Sequence, residues 1–362
     1  MNAAKRLHGA RQSLWLDNIT RELVTSGKLA SHIADAAVTG LTSNPSIFDK
    51  AISGGKDYDA QAEELARRGL DAEAIFFAMA IDDLRAAAAL FKPVWDASNG
   101  RDGWVSLEVS PRLAYDAERS VAQAIALQAQ AAVPNLFIKI PGTAEGLWAI
   151  EELTFRGLSV NVTLLFSNDQ YLAACGAYQN GLERRVAAEL DLQVPSVASL
   201  FVSRWDRATA GKLPVDLQDE LGIAVAKQTY RSHREVLGSA RWKALEARGA
   251  RPQRLLFAST GTKESTKPDT YYVEALAAPD TIDTIPQATL DAFVDHGKLG
   301  ALLRADGGNA DEIIARVAAA GIDVSVLAAT LQSAGAAAFV ESWNHLLQSI
   351  ESKVAAHTGY AR

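Results

Sequence analysis

A lysine lies inside an otherwise apolar stretch of the sequence, NLFIKIPG, at residues 135–142. Phe137, Ile138 and Ile140 are typical of a strand that is covered on both faces. Lysine is almost never fully buried unless it is paired or functional. A neutral amine attacks a ketone to form an imine, and burial favours the neutral amine because it penalises the charged form. Lys139 is therefore a candidate for imine chemistry, and the alternative is an ion pair with a neighbouring carboxylate.

Imine formation and carbon–carbon bond cleavage move protons, so they require acid/base groups within hydrogen-bond reach of the lysine. Asp17 and Glu108 supply carboxylates late in two other predicted strands, SLWLD and WVSLEVS. Thr163 lies in LSVNVTLLF and could hold a catalytic water. The alternatives are a salt bridge from either carboxylate to an arginine and, for Thr163, a strand residue that satisfies its own hydroxyl.

Amide and hydroxyl side chains are candidates for contacts with a polyhydroxylated substrate. Asn44 follows the second predicted strand, Asn161 lies two residues before Thr163, and Ser199 lies in the sixth predicted strand. An amide offers both a donor and an acceptor, which suits hydroxyl and imine contacts. The alternative for the asparagines is capping of a loop or strand end.

An anionic end of the substrate is suggested by Arg204, Ser259 and Lys263. Arginine and lysine supply positive charge, and the turn STGTK offers backbone N–H groups of the kind that bind phosphate after late barrel strands. The alternatives are a structural ion pair between Arg204 and nearby Asp206 and an ordinary solvated loop lysine at Lys263.

These residues must be positioned by short strands that alternate with longer helical segments. Such alternation predicts parallel βαβ units, and eight of them predict an α/β fold, a single TIM (β/α)8 barrel, in one domain over residues 1–362. Reactive groups then lie at the carboxyl ends of the strands. The predicted strands cover residues 13–17, 37–42, 104–110, 136–140, 158–166, 196–202, 254–260 and 280–285.

The remaining segments predict helices outside the basic barrel. The connections 43–103 and 203–253 each have room for an extra helix. Residues 287–362 are expected to be a wholly helical C-terminal extension that packs on the barrel and partly covers its mouth. The uncharged run 324–340 contains Ser, Thr, Gln and Gly, so it is interpreted as a buried helix and not as a membrane span.

Composition excludes several classes of function. The chain has 362 residues, a net charge of −7 and one cysteine, Cys175. The acidic balance gives no basic face for nucleic acid or an anionic membrane. A single cysteine allows no internal disulfide and the N-terminus lacks the apolar core of a signal peptide, so we expect a cytoplasmic protein. Cys175 is interpreted as a small apolar filler.

Cofactor motifs are absent as well. The six histidines show no HExxH or related zinc spacing, and no glycine-rich dinucleotide or P-loop motif follows a strand. The sequence therefore predicts a site without a metal or cofactor.

Three motifs together, TSNPSIF, IKIPGT and NVTLLFS, carry a resemblance to a known family. With SLWLDN, VSLEVSP, VASLFVSRWD and LLFASTGTKE they occur in the same order as in transaldolases, over about the first three-quarters of the chain. The chain resembles the longer bacterial branch of this Schiff-base family. Many relatives carry an arginine shortly after the Ala-Ser of the seventh strand, whereas this chain reads ASTGTK, with Lys263 as the candidate for that charge.

The resemblance implies both an activity and roles for the residues. Lys139 would form the Schiff base, Asp17 would act as acid/base for bond cleavage, and Glu108 and Thr163 would hold the catalytic water. Asn44, Asn161, Ser199, Arg204 and Ser259 would contact the substrate. The implied reaction moves a dihydroxyacetone unit from sedoheptulose 7-phosphate or fructose 6-phosphate to an aldose phosphate, in the pentose phosphate pathway. A monomer or a homodimer is expected, with sugar phosphates as its only partners.

Two alternative functions also fit parts of the sequence. A related smaller barrel, fructose 6-phosphate aldolase, releases dihydroxyacetone instead of transferring it. That group resembles the chain at the lysine but carries glutamine and tyrosine where Glu108 and Phe201 stand here. A sugar-phosphate-binding barrel without turnover is the other alternative, and it would form no imine.

Overall fold

The computed structural model describes residues 2–262 and 267–358. Its eight parallel strands form one sheet in the order β2-β1-β8-β7-β6-β5-β4-β3, and a parallel bridge between Gly40 and Trp104 joins the two edge strands. The predicted TIM barrel is thus confirmed. The strands are β1 (Ser13–Asp17), β2 (Val38–Thr42), β3 (Val105–Glu108), β4 (Leu136–Pro141), β5 (Val160–Leu165), β6 (Ser196–Phe201), β7 (Arg254–Ala258) and β8 (Ile282–Ile285).

Helices surround this barrel, and the two long connections contain the extra helices that the sequence predicts. Helices α4 to α6 lie between β2 and β3, and α10 to α12 lie between β6 and β7. The helices are α1 (Ala3–Gly9), α2 (Arg21–Thr25), α3 (Lys28–Ala36), α4 (Pro45–Gly54), α5 (Asp59–Arg67), α6 (Ala72–Ala97), α7 (Ala117–Ala131), α8 (Ala144–Phe155), α9 (Asn168–Ala187), α10 (Ser203–Thr209), α11 (Leu221–Gly238), α12 (Ala240–Glu246), α13 (Tyr271–Ala275), α14 (Gln287–Asp295), α15 (Ala310–Ala319) and α16 (Val324–Thr358).

The core has two layers, which follow from the alternation of side chains along each strand. Ile138 and Ile140 of β4 point outward and pack beneath the helices. Phe137 points inward and contacts the ring of Trp104, with 4.1 Å between the ring centroids. Trp15 also fills the barrel interior, and Gly40 makes this possible because a Cβ there would lie 2.7 Å from the indole.

The C-terminal region differs from the prediction at two places, residues 297–309 and the short turn at 320–323 between α15 and α16. Helix α14 follows β8 directly and α15 and α16 follow later, but residues 297–309 are not helical. Four glycines in that segment disfavour a helix, and its backbone is held by a hydrogen bond from Leu303 N to Ala277 O. The expectation of a wholly helical extension over 287–362 was therefore wrong for this part.

Helix α16 crosses the mouth of the barrel, as predicted for the C-terminal extension. It packs on α4, α5 and α6 through Trp343, Leu346 and Ile350, which are all buried. By length and composition alone this helix is apolar enough to cross a membrane. In the structure Phe339, Trp343, Leu346 and Ile350 of this helix are buried, whereas Val326 is 62% exposed, so packing explains part of its hydrophobicity.

Candidate active site

Lys139 lies at the mouth of the barrel, late in β4, and is 5% exposed. Its ammonium group donates hydrogen bonds to the Ser43 carbonyl oxygen at 2.7 Å and to Glu108 Oε2 at 3.1 Å. Glu108 is the residue paired with Lys139 in the neighbouring strand β3, so the parallel register brings the two side chains together. Burial raises the pKa of Glu108 above its ordinary value, and the Lys139 charge acts in the opposite direction. The pair is thus an amine beside a carboxylate of increased basicity.

Asp17 ends β1 at the same level of the barrel and lines the same cavity as Lys139. Thr42 of β2 donates a hydrogen bond to Asp17 Oδ1 at 2.9 Å. The Thr42 hydroxyl also lies 2.7 Å from the Thr284 hydroxyl, and because Thr42 uses its proton on Asp17, Thr284 is the donor of this second bond. The chain of hydroxyls holds the Asp17 carboxylate in place at the mouth.

The polar side chains of β5 also face the barrel interior. Asn161 donates to Ser106 Oγ at 3.3 Å and accepts from Ser199 Oγ at 2.7 Å, so one amide joins three strands. Thr163 Oγ1 is fully buried and has no hydrogen-bond partner within the described part of the chain. Because buried hydroxyls are nearly always hydrogen-bonded in native proteins, this one marks a position for a bound polar group.

A bulge in β5 follows Thr163. Leu164 adopts a left-handed backbone conformation, with φ of 59°, and the register with β6 shifts between Val162 and Leu165. As a result Leu164 lies in the cluster beneath α16, whereas Leu165 returns to the layer under the outer helices. A left-handed leucine costs about 1–2 kcal/mol, and such strain concentrates at functional sites.

Arg204 occupies the other end of the cavity. Its guanidinium carbon lies 5.0 Å from the ring centroid of Phe201 and 5.6 Å from that of Phe339. Among residues 2–262 and 267–358 it forms no hydrogen bond or ion pair. The ion pair with Asp206 considered above is not formed, because Asp206 accepts from Gly222 N and from the Tyr272 hydroxyl. The Arg204 charge is therefore directed at the cavity.

Ser259 and Asn44 contribute to the rim of the cavity. Ser259 is left-handed, with φ of 57°, and its hydroxyl lies 2.9 Å from that of Ser203. Asn44 accepts a hydrogen bond from Ile47 N at 3.1 Å and caps α4, so the capping alternative is observed while the residue also lines the cavity. Lys263 lies outside the described residues.

The cavity has a volume of about 520 Å³ and brings together most of the predicted site residues. Lys139, Asp17 and Thr163 lie in its lining, and so do several residues that were not predicted as site residues. Two of these are cations, Lys50 and Arg207; Arg207 follows Arg204 by one turn of α10, and this spacing could have identified it. Thr42, Thr284, Leu331, Gly335 and Phe339 are the others that matter here.

Helix α16 contributes to the site through contacts with strand ends. Gln332 donates hydrogen bonds to the carbonyl oxygens of Gly142 at 2.9 Å and Leu164 at 3.0 Å, which lie just after β4 and within the β5 bulge. Gly335 faces Leu164 and Arg204, and a Cβ there would lie 3.0 Å from Leu164 Cδ2 and 3.1 Å from Arg204 Nη1. The C-terminal helix is thus part of the cavity wall.

A buried lysine beside a carboxylate, at the carboxyl end of a (β/α)8 barrel and opposite a free guanidinium, defines the class of Schiff-base barrel enzymes that act on anionic carbonyl compounds. Comparison with known proteins agrees with this class. The family model described as transaldolase/fructose-6-phosphate aldolase matches residues 14–350.

Curated relatives give the same result over nearly the whole chain. A transaldolase of Thermobifida fusca is 45% identical, over 98% of this chain and 99% of the relative. A transaldolase of Frankia alni is 43% identical, over 98% of each chain. The chain belongs to the transaldolase family, and the resemblance seen in the sequence is confirmed. Enzymes of this family are transferases that act through a lysine Schiff base, so the predicted enzyme class is also confirmed.

Proposed function

We propose that this chain transfers a dihydroxyacetone unit from a ketose phosphate, sedoheptulose 7-phosphate or fructose 6-phosphate, to an aldose phosphate, through an imine on Lys139. The observation that carries this assignment is the buried Lys139 amine, 3.1 Å from Glu108 and open to a cavity that the Arg204 charge faces. A cavity of about 520 Å³ is in the range that holds a small organic ligand.

Imine formation uses Lys139, Glu108 and Thr163. The amine becomes nucleophilic when its proton passes to Glu108, whose raised pKa favours this transfer. Nζ bonds to the ketone carbon, and the ketone oxygen takes up two protons and leaves as water. The unpartnered Thr163 hydroxyl and Glu108 are placed to hold this water, which accounts for a buried hydroxyl without a partner.

Bond cleavage uses Asp17. The carboxylate removes the proton from the hydroxyl that is β to the iminium carbon, the carbon–carbon bond breaks, and its electron pair neutralises the iminium to give an enamine. An aldose phosphate leaves, and the enamine keeps the dihydroxyacetone carbons on Lys139. When a second aldose phosphate enters, the same steps run in reverse and Asp17 returns the proton.

The remaining side chains bind and shield the substrate. Arg204 and Arg207 supply charge for the phosphate, together with Ser259 at the left-handed turn. Asn44 and Asn161 are placed for sugar hydroxyls. Helix α16 covers the mouth, and exclusion of water there protects the enamine from protonation, so that transfer prevails over release of dihydroxyacetone.

Borohydride trapping tests the chemistry and the site together. Incubation with fructose 6-phosphate and borohydride adds the mass of a reduced adduct, which peptide mapping places on Lys139. Lys139→Ala loses both the adduct and transfer while its circular dichroism is retained, and the exposed Lys28→Ala serves as the matched control. An adduct on another lysine, or near-normal activity of Lys139→Ala, would refute the assignment.

The same preparation distinguishes a transferase from an aldolase. With fructose 6-phosphate and erythrose 4-phosphate, a transferase forms sedoheptulose 7-phosphate and little free dihydroxyacetone. Release of dihydroxyacetone at the rate of fructose 6-phosphate consumption would assign the chain to the aldolase branch instead.

The cellular setting is part of this proposal. We place the enzyme in the cytoplasm, as a monomer or homodimer that works without a metal and binds neither nucleic acid nor membrane. The net charge of −7 and the buried free thiol of Cys175 support this setting. Analytical ultracentrifugation tests the oligomeric state.

A further inference from the structure

Asp283 of β8 is a fully buried carboxyl that the proposed reaction does not use. The next residue, Thr284, lines the active-site cavity, so Asp283 points to the opposite side of the strand. The parallel register pairs Asp283 with Leu14 of β1 and Phe257 of β7, two buried residues of the core layer beneath the outer helices. No charged side chain within residues 2–262 and 267–358 acts on it. A carboxylate in such surroundings is costly, so its presence requires an explanation.

The hydrogen bonds around Asp283 identify the form in which it is held. The Thr260 hydroxyl oxygen lies 2.8 Å from Asp283 Oδ1 and 3.1 Å from the Thr284 carbonyl oxygen. A hydroxyl has one proton, so it cannot donate fully to two acceptors. Both contacts are satisfied when Asp283 is a neutral acid that donates to Thr260 Oγ1, and Thr260 donates to the Thr284 carbonyl. Burial raises the pKa of Asp283 to about 7, which agrees with this form. Oδ2, which has no partner in the described part of the chain, is then an uncharged carbonyl oxygen.

Thr260 belongs to the segment that follows β7, residues 259–262, which forms one wall of the active-site cavity and is called the post-β7 segment below. Ser259 and Gly261 line the cavity on either side of Thr260. Thr260 itself is fully buried, and its hydroxyl contacts β8 instead of the cavity. Ser259 is left-handed, with φ of 57°, a conformation that is unfavourable for a residue with a Cβ. The position of Ser259 therefore depends on the contacts that hold the segment.

Contacts on two sides fix the post-β7 segment. Towards α10, Ser203 N donates to the Ser259 carbonyl oxygen at 3.0 Å, and the hydroxyls of the two serines lie 2.9 Å apart. Towards β8, Gly261 packs on Pro286, and a Cβ at this glycine would lie 2.8 Å from Pro286 Cγ. The hydrogen bond to the buried acid adds a polar anchor on this second side. Loss of that anchor is expected to displace Ser259 while the α10 contacts remain.

We propose that Asp283, as a neutral acid, is a positioning residue for the phosphate subsite and holds Ser259 beside the cavity through Thr260. This inference rests on the proposed function, in which Ser259 contributes to phosphate binding. An ionised Asp283 can only accept, so Thr260 must donate to it and the Thr284 carbonyl loses its donor. The post-β7 segment is then released from that carbonyl. Phosphate binding is therefore expected to weaken as the pH rises above about 7, where Asp283 loses its proton.

Steady-state kinetics of the full chain from pH 7 to pH 9, with fructose 6-phosphate and with fructose, test the proposal. In the wild-type protein KM for fructose 6-phosphate is expected to rise at least about fivefold relative to KM for fructose, which carries no phosphate. Asp283→Asn supplies an amide donor to Thr260 at every pH, so its ratio is expected to change less than about twofold. Thr260→Val is expected to raise KM for fructose 6-phosphate at least about fivefold already at pH 7. Thr229→Val, at a fully buried threonine of α11, is the matched control and keeps the wild-type values.

Other groups that titrate near this range act equally on the proteins compared. Burial raises the pKa of Asp206, on the α10 side of the cavity, to about 6, and the second pKa of a phosphate monoester is also about 6. Both groups ionise mainly below pH 7, and both are present with the wild-type protein and with Asp283→Asn. The difference between these two proteins therefore reports the Asp283 proton.

Calorimetric titration of Lys139→Ala with fructose 6-phosphate measures the same subsite without imine formation. Its Kd is expected to rise at least about fivefold from pH 7 to pH 9, and less than about twofold when Asp283→Asn is added. A pH-independent Kd and KM ratio without Asp283→Asn, the same pH dependence with it, or equal effects of Thr260→Val on both donors would each overturn the proposal. Absence of a Lys139 adduct in borohydride trapping would instead refute the proposed function, and the calorimetric test of Asp283 would still apply.

Discussion

Gly335 of α16 offers a test of how the C-terminal helix acts on the substrate. In Gly335→Ala the new methyl group would lie 3.1 Å from Arg204 Nη1 and 3.0 Å from Leu164 Cδ2. An ordinary contact at this site is about 3.5 Å or longer, so the guanidinium must move by about 0.5 Å. Leu164 has little room to yield because it is buried in the cluster beneath α16.

The movement weakens a charged hydrogen bond to the substrate phosphate without removing it. Such bonds contribute about 1.5–3 kcal/mol, and loss of about half of one corresponds to roughly a four- to twelvefold decrease in kcat/KM for fructose 6-phosphate. Alanine in place of glycine stabilises a helix interior by about 1 kcal/mol, which offsets part of the packing cost. The free energy of unfolding is therefore expected to stay within about 1 kcal/mol of the wild-type value.

Steady-state kinetics with phosphorylated and unphosphorylated donors distinguish this effect from general damage. The decrease is expected with fructose 6-phosphate and not with fructose, which has no phosphate for Arg204 to bind. Ala337→Gly, the reverse change on the exposed face of α16, is the matched control: it lowers stability by about 1 kcal/mol and leaves both donors unaffected. Equal losses with both donors, or no loss with either, would refute the role given to Arg204 and α16.

Three further predictions concern single groups. Thr163→Val removes the buried hydroxyl that has no partner, so it is expected to leave thermal stability unchanged or higher and to slow borohydride trapping at least tenfold; unchanged trapping would contradict its role. Burial raises the pKa of Asp283 to about 7, so the native state holds a proton that the unfolded state loses near the ordinary aspartate pKa, and stability falls by about 1.4 kcal/mol per pH unit between these two values. Asp283→Asn removes this dependence on pH. If the free energy of unfolding changed equally between pH 5 and pH 8 in the wild-type protein and in Asp283→Asn, the prediction would be contradicted. Dialysis against EDTA is expected to leave transfer intact, because no cluster of three metal-ligating side chains occurs in the described ranges, and inhibition reversed by zinc would contradict this.

The barrel could be predicted from sequence because its strands are short apolar runs between turn and helix signals. The predicted strand 13–17 matches β1, whereas the predicted strand 158–166 is longer than β5. The bulge at Leu164 lies within β5 and shifts its register with β6, and bulges have no reliable signal in a single sequence. The gathering of Asp17, Glu108 and Lys139 was also predictable, since the carboxyl ends of parallel strands meet at one end of a barrel.

The part of the site on α16 could not be predicted at the level of residues. Phe339 reaches Arg204 across 135 positions of sequence, and no local periodicity links the two. Gln332 acts by donating to strand-end carbonyl oxygens, and Gly335 acts because it has no side chain. Neither effect produces a recognisable sequence pattern. The break at residues 297–309 sets where α15 begins, and its leucines resemble a helix in composition although its glycines do not favour one.

The position of α16 at the end of the chain separates the completion of the barrel from the completion of the enzyme during synthesis. At about 5–20 residues per second, a ribosome adds the 54 residues from Ile285, the end of β8, to Phe339 in roughly 3–11 s. All eight strands, and with them Lys139, are present once residue 285 has been made, before any of α16 exists. A nascent or C-terminally clipped chain thus has the reactive amine in an uncovered mouth, where water reaches the enamine. Such a chain is expected to release dihydroxyacetone by hydrolysis. The chain is expected to become a transferase only after α16 has been synthesised and covers the mouth.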